Sequence, residues 1–240
     1  MATHLVKLKS RREIAEGTMA FHFEKPPGFA FKAGQALAWT LIDPPETDDE
    51  GEMRNFSIAS APGEPDLMIA TRMRDTAFKR VLKTMPLGTA VRIVGPFGSL
   101  TLPQNADRPA AFLAGGIGIT PFRSMLRQAA EQKLPHHLFL FYSNRRPKDA
   151  AFLEELEDLE NENSNYKFIA TMTKMAGSNG IWRGETGFIN QEMLAKHIGD
   201  LAAPIYYIAG PPAMVKAMQR TLSDAGVNSD DVRAEEFAGY

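Results

Sequence analysis

Gly115-Gly116-Ile117-Gly118-Ile119-Thr120-Pro121 follows a short apolar run and opens a helix-patterned stretch. A glycine turn between a strand and a helix leaves the first backbone N–H groups of the helix free to meet a phosphate or pyrophosphate. It also lets strand and helix pack closely. Both uses stay open here, because the stretch is not the G-x-G-x-x-G dinucleotide fingerprint. A second turn of the same kind lies downstream in Tyr206-Tyr207-Ile208-Ala209-Gly210-Pro211-Pro212-Ala213-Met214. Two such turns on one rim of one sheet strengthen the nucleotide reading.

Around these turns the pattern alternates strand and helix. Residues 110–114, 138–142, 166–170 and 205–209 are short apolar runs of buried-strand type. Between them, 121–132 reads as a helix opened by proline, and Phe152, Leu156 and Leu159 line one face of an acidic helix. Pro211-Pro212 starts a last helix in which Met214, Ala217, Met218, Thr221 and Leu222 share a face. The alternation predicts a parallel sheet with right-handed crossovers and a ligand crevice at the carboxyl ends of its strands.

The first half reads differently. From Leu5 to about Leu102, apolar residues alternate in short runs (Met19, Phe21, Phe23; Leu37, Trp39, Leu41; Leu67, Ile69; Val91, Ile93) broken by Pro and Gly. That predicts antiparallel strands, closed into a barrel. The acidic stretch 47–52 reads as a solvated turn, and 103–108 as a linker. The expected organisation is a β-barrel domain over 1–104 followed by an α/β domain over 105–240.

Composition narrows the chemistry. The 240 residues are 44% hydrophobic, enough for two cores, and the net charge of −2 gives no general reason to expect nucleic acid. With no cysteine, a disulfide framework, a thiolate-held iron–sulfur cluster and a thiol nucleophile are excluded within these residues. The five histidines have no zinc-site spacing, so no metal is expected. No run of eighteen apolar residues occurs, and the expectation is a cytoplasmic protein.

Arg54-Asn55-Phe56-Ser57, late in the β half, puts a cation, an aromatic ring and a hydroxyl in consecutive reach of one ligand. Arg54 can pair bidentately with phosphate, Phe56 offers a face to a ring system, and Ser57 can donate to a ring nitrogen. An ordinary strand with an exposed Arg would read the same way. Together with Gly95-Pro96-Phe97-Gly98, the two glycine turns and the ending Glu235-Glu236-Phe237-Ala238-Gly239-Tyr240, however, it forms an ordered set. That set resembles the ferredoxin–NADP reductase superfamily over essentially the whole chain.

The resemblance implies FAD on the barrel, NADP (or NAD) on the α/β domain, and hydride exchange between them. It implies that Arg54 pairs with the flavin pyrophosphate, that Asn55 belongs to the same segment, that Phe56 stacks on the isoalloxazine, and that Ser57 donates near flavin N5. Ile69, Ala70, Thr71 and Arg72 resemble the strand whose backbone borders the flavin. Thr76 and Lys79 stand where many relatives have the Gly and Ser of a pyrophosphate cradle. Gly115, Gly116, Gly118, Thr120 and Pro121, with Gly210, Pro211 and Met214, resemble the nucleotide turns, with Thr120 at the junction of the two rings. Ala209 replaces a cysteine found in many relatives, which implies a roomier pocket. Ser57, Thr120, Ala209 and Glu235 are thus the expected catalytic positions, and Phe237 or Tyr240 the aromatic cover of the flavin.

Coenzyme choice turns on the end of the second α/β strand, where an acid would hold the ribose hydroxyl of NAD. Ser143, Asn144, Arg145 and Arg146 stand there instead, with Lys174 after the next strand, which favours NADPH. Arg72, Arg74, Lys79, Arg80, Lys83 and Arg92, with Lys7, Lys9, Arg11 and Arg12, outnumber nearby acids and could steer an acidic ferredoxin or flavodoxin. A small electron acceptor, an NADH-dependent reductase component serving an oxygenase or a ferric substrate, and a non-catalytic flavin-binding subunit are the alternatives.

Overall fold

The structure is a computed structural model that describes residues 2–103, 105–175 and 182–237. Its first half comprises β1 (Ala2–Ala15), β2 (Thr18–Glu24), β3 (Ala36–Leu41), β4 (Met53–Ser57), β5 (Asp66–Arg72), helix α1 (Ala77–Thr84) and β6 (Ala90–Phe97). The strands form one antiparallel sheet in the order β4-β3-β6-β1-β2-β5. Its two edges meet just beyond β4, where Ala59 N–H donates to the Met68 carbonyl at 2.8 Å and Ser60 Oγ accepts from Met68 N–H at 3.0 Å. The expected barrel thus closes through one short joint, which removes most of an exposed sheet edge. Inward alternation buries Phe21, Phe23, Leu37, Trp39 and Ile69, and α1 adds Phe78, Val81 and Leu82 to the same core.

The second half contains β7 (Ala110–Gly115), a 3-10 turn (Gly116–Gly118), α2 (Ile119–Glu131), β8 (Leu138–Asn144), a 3-10 turn (Pro147–Asp149), α3 (Leu153–Glu162), β9 (Tyr166–Met172), β10 (Glu185–Thr186), α4 (Gln191–Ile198), β11 (Ile205–Gly210), α5 (Pro212–Asp224) and, after a third 3-10 turn, β12 (Val232–Glu236). All its strand pairs are parallel, in the order β10-β9-β8-β7-β11-β12. The chain runs outward from β7 on one side and then crosses back to β11 on the other. The switch point therefore falls between the two glycine turns that end β7 and β11.

Two local expectations need correcting. Helix α2 begins at Ile119, not Pro121, because proline is tolerated in a first turn whose N–H groups have no intrahelical partner. In α5 the buried stripe is Val215, Met218 and Leu222, while Ala217 is exposed. The stripe drawn from the sequence was rotated by part of a turn.

The two sheets share a core. Ala20, Ala59, Met68 and Ala70 of the barrel pack in one buried cluster with Phe112, Phe122, Met125 and Leu126 of the α/β half. The carboxyl edge of the parallel sheet is thereby set against the β4–β5 edge of the barrel.

Candidate active site

On the barrel side, strand alternation decides which side chains can share a ligand. Arg54 and Phe56 lie half-buried on one face of β4, next to Phe78 of α1, whose ring is 5.3 Å from the Arg54 guanidinium carbon and 5.8 Å from the Phe56 ring. Asn55 points to the opposite face and is exposed. Ser57, 7% exposed, ends the strand opposite Ala36. In β5, Met68 turns both its peptide groups to the free edge, so by the two-residue period those of Ala70 and Arg72 face it too. Ile69 and Thr71 turn theirs toward β2, and their side chains are buried. Thr76 caps α1, with its hydroxyl accepting from Lys79 N–H at 3.4 Å. Lys79 Nζ donates to the Arg72 carbonyl at 2.8 Å. Burial, together with the cations of Arg74 and Arg54, brings the Lys79 ammonium down to about 8.

The acidic stretch 47–52 is not a free solvated turn. Asp48 accepts from Ala77 N–H, at the start of α1, at 2.8 Å, and Glu50 pairs with Arg54 at 2.8 Å. Arg54 Nη1 also donates to the carbonyls of Glu50, Gly51 and Met53. Contact with the Ala77 amide, then with the Glu50 amide and Arg54, holds the Asp48 carboxyl below the usual range. A cation and a helix start that suit a phosphate thus also hold the loop carboxylates, a contact the sequence did not announce.

On the nucleotide side the glycines show why they are glycines. A Cβ on Gly118 would overlap the Ala209 carbonyl and Gly210 N, and one on Gly115 would overlap Met214 and Pro211. Gly116 has φ +51°, in the region that favours glycine. The two turns therefore pack backbone on backbone, and the packing role left open above is realised. Pro121 lies in the first turn of α2, and Pro211 caps α5. Thr120 is buried, its hydroxyl donating to the Ile117 carbonyl at 3.1 Å. Ala209 is fully enclosed beside Ala114, so the roomier pocket expected from the missing thiol is not open in this structure.

Glu235 lies opposite Ala209 in β12 and faces a cavity of about 630 Å³ that reaches Ala36, the strand partner of Ser57. Burial pushes its carboxyl up, and it has no ion-pair partner among the described residues. Phe237 N–H donates to the Gly210 carbonyl at 2.9 Å, and its ring packs against the shared core. Tyr240 lies outside the described residues.

At the end of β8, Ser143 is half-buried and Asn144 is buried with its Nδ2 unpartnered. Arg145 and Lys174 are exposed neighbours, joined by Lys174 N–H to the Arg145 carbonyl at 2.9 Å. Arg146 is committed elsewhere, to Asp149 at 2.6 Å and Glu16 at 3.5 Å. The basic patch also shrinks. Arg80 is held by Glu46 and Asp75, Lys9 by Asp66, and Lys79 is partly buried. The acids that neutralise it come from loops distant in sequence.

These residues fit the two expected groups. The barrel edge offers a phosphate-compatible helix start, two cations and a half-buried ring, while the opposing rim offers glycine turns that no side chain could occupy and an orphaned amide donor. Fold and site together are those expected of an oxidoreductase that uses a flavin and a nicotinamide nucleotide. Residues 112–220 match the model of the oxidoreductase NAD-binding domain family. Ferredoxin--NADP reductase B of Sorangium cellulosum is 30% identical over 242 residues, with 96% of each chain covered. Reductase component 2 of the terephthalate 1,2-dioxygenase of Comamonas sp. is 27% identical over 210 residues, 87% of this chain and 60% of that protein. The chain spans about half the length of several further curated relatives. A ferredoxin NADP+ reductase from Neisseria gonorrhoeae, solved with bound FAD and NADP, superposes with a TM-score of 0.79 at 21% identity over 98% of both chains. The chain belongs to the ferredoxin–NADP reductase family, and it is an NAD(P)H oxidoreductase.

Proposed function

We propose that the protein oxidises NADPH through FAD and passes the electrons singly to a ferredoxin- or flavodoxin-type carrier. The observation that carries the coenzyme choice is the exposed pair Arg145 and Lys174, neither with an ion-pair partner among the described residues. Two free cations at the carboxyl edge suit a 2′-phosphate and leave no carboxylate for a ribose hydroxyl. The bound coenzymes supply the hydride and one-electron chemistry. The chain's part is to hold them: Arg54, Lys79 and the start of α1 on the flavin phosphates, Phe56 against its ring, Ser57 at the reacting edge, and Thr120 and the glycine turns on the nicotinamide side. In this reading residues 1–104 form the FAD domain and 105–240 the nucleotide domain. The carrier is supported by the Sorangium relative's name and by cations of the patch that have no ion-pair partner among the described residues, Lys7, Lys83 and Arg92 among them. No helix among the described residues is long and apolar enough to cross a membrane, and the reading places the enzyme in the cytoplasm.

Anaerobic bleaching of the yellow protein tests this directly. NADPH should bleach it at far lower concentration than NADH, and Arg145→Ala should raise the Michaelis constant for NADPH about 10- to 100-fold while leaving NADH nearly unchanged. Equal effects on both coenzymes would remove Arg145 from the 2′-phosphate. Colour without bleaching would favour a non-catalytic flavin subunit. Reduction of an oxygenase component in preference to any ferredoxin or flavodoxin would favour the oxygenase-reductase reading.

A further inference from the structure

Arg123 is 5% exposed and sits where the two sheets meet. It projects from α2, one turn after Thr120. Its Nη1 donates to the Ala59 carbonyl at 2.8 Å and to Glu64 at 2.8 Å, and its Nη2 donates to Glu64 at 3.1 Å. The other flank meets Glu155 of α3, through Nε at 3.1 Å and Nη2 at 2.6 Å. The guanidinium carbon lies 5.1 Å from the Phe152 ring. Four hydrogen bonds and one close ion pair engage all three nitrogens of the guanidinium, a set that an ammonium cannot reproduce. The next residue, Ser124, is fully buried and donates to the Ser60 carbonyl at 2.6 Å. Glu64 in turn accepts from Ala61 N–H at 2.5 Å.

The bonds to Ala59, Ser60 and Glu64 grip the segment that follows Ser57, while Glu155 and Phe152 hold the guanidinium on the α/β side. Ala59 and Ser60 stand two and three residues beyond it, and Thr120 stands one helical turn before Ser124. The path from Ser57 to Thr120 therefore runs through a few extended residues, one hydrogen bond and one turn of helix. Elsewhere Glu16 meets Lys148 and Arg146 across the interface, and the buried contacts beside Arg123, Met68 and Met125 among them, are apolar. Such contacts are non-directional, and methionine is adaptable, so they favour closeness without setting lateral register. Hydrogen bonds are directional and set it.

We propose that Arg123, with Ser124, is a positioning residue that registers the nicotinamide side of the site against the flavin side, and so sets the hydride donor–acceptor geometry. The proposal rests on the placement of Ser57 and Thr120 at the two coenzymes. A shift of about 1 Å in such geometry costs up to about 100-fold in rate.

The test compares Arg123→Lys, Ser124→Ala and Ser57→Ala with the parent. In Arg123→Lys, anaerobic stopped-flow reduction of the flavin by saturating NADPH should slow about 10- to 100-fold, with FAD affinity and the Michaelis constant for NADPH within about twofold of the parent. The long-wavelength absorbance of stacked flavin and nicotinamide should weaken, and backbone amides over 58–64 should exchange faster in the apoprotein. Ser124→Ala strands no charge and should slow reduction about 3- to 10-fold, which decides the matter if Arg123→Lys does not fold. Parental reduction rates in folded Arg123→Lys or in Ser124→Ala, with 58–64 loosened, would make the clamp purely structural and overturn the proposal. A parental rate in Ser57→Ala would instead overturn the placement of the flavin on which the proposal stands.

Discussion

Raising the pH from 7 to 9 should weaken FAD binding to the apoprotein about tenfold, with Lys79 responsible. Its ammonium is brought to about 8 from the ordinary 10.5, first by burial and then by the cations of Arg74 and Arg54. A flavin phosphate beside it would supply the missing anion and return it toward 10.5. Linkage then makes the dissociation constant rise with pH between the two values, and the two binding polynomials give a ratio of about ten between pH 9 and pH 7. The effect on folding has the opposite sign. Because the folded value lies below the unfolded one, the apoprotein releases this proton earlier than the unfolded chain and gains stability from the group between about pH 8 and 10.5. Weaker FAD binding at pH 9 would therefore not come from unfolding by Lys79. Titration of the apoprotein by quenching of FAD fluorescence reads the slope. Lys79→Ala should bind FAD more weakly with no slope between pH 7 and 9, and Lys79→Arg should bind it well with none. A parental slope that survives in Lys79→Ala would refute the assignment.

Arg54→Ala should weaken FAD binding by about one to two powers of ten, the worth of a charge-assisted bond of roughly 1.5–3 kcal/mol, and unchanged affinity would remove Arg54 from the pyrophosphate. Phe237→Ala should tighten NADP binding and shift the visible flavin band, because the ring would no longer compete with the nicotinamide for the flavin face. Deletion of 238–240 tests Tyr240 in the same role, and parental spectra and affinity in both variants would mean that the carboxyl terminus is no gate. Gly118→Ala should cost about 1–3 kcal/mol in a urea titration, since its Cβ would overlap the Ala209 carbonyl and the two turns must separate. An unchanged midpoint would show that the turns are not in mutual contact.

The two kinds of sheet were legible because each leaves a local period. Alternation through Phe21, Phe23, Leu37 and Trp39 marks strands with one buried face, and the runs at 110–114 and 138–142 mark strands buried on both. The glycine turns were legible too, since a side chain at Gly115 or Gly118 would overlap the facing turn and one at Gly210 would crowd it. Helix boundaries were less so. Proline is compatible with several positions in a first turn, which is why α2 starts before Pro121.

Charge was the part that local pattern misread. Arg80 looked like one of a cluster of free cations until Glu46, 34 positions earlier, and Asp75 took it up. Arg145 and Arg146 are indistinguishable as a dipeptide, yet Arg146 is spent on Asp149 and Glu16 while Arg145 has no ion-pair partner among the described residues. Arg123 showed no signal at all, because its partners at 59, 64 and 155 converge only when both sheets are in place. Periodicity and turn chemistry act between residues a few positions apart, so the chain itself carried the two architectures and the nucleotide turns. Coulomb energy and hydrogen bonding depend on separation in space. Which cations remain for a phosphate, and how Ser57 is registered against Thr120, were therefore decided only when the barrel and the α/β sheet closed on each other.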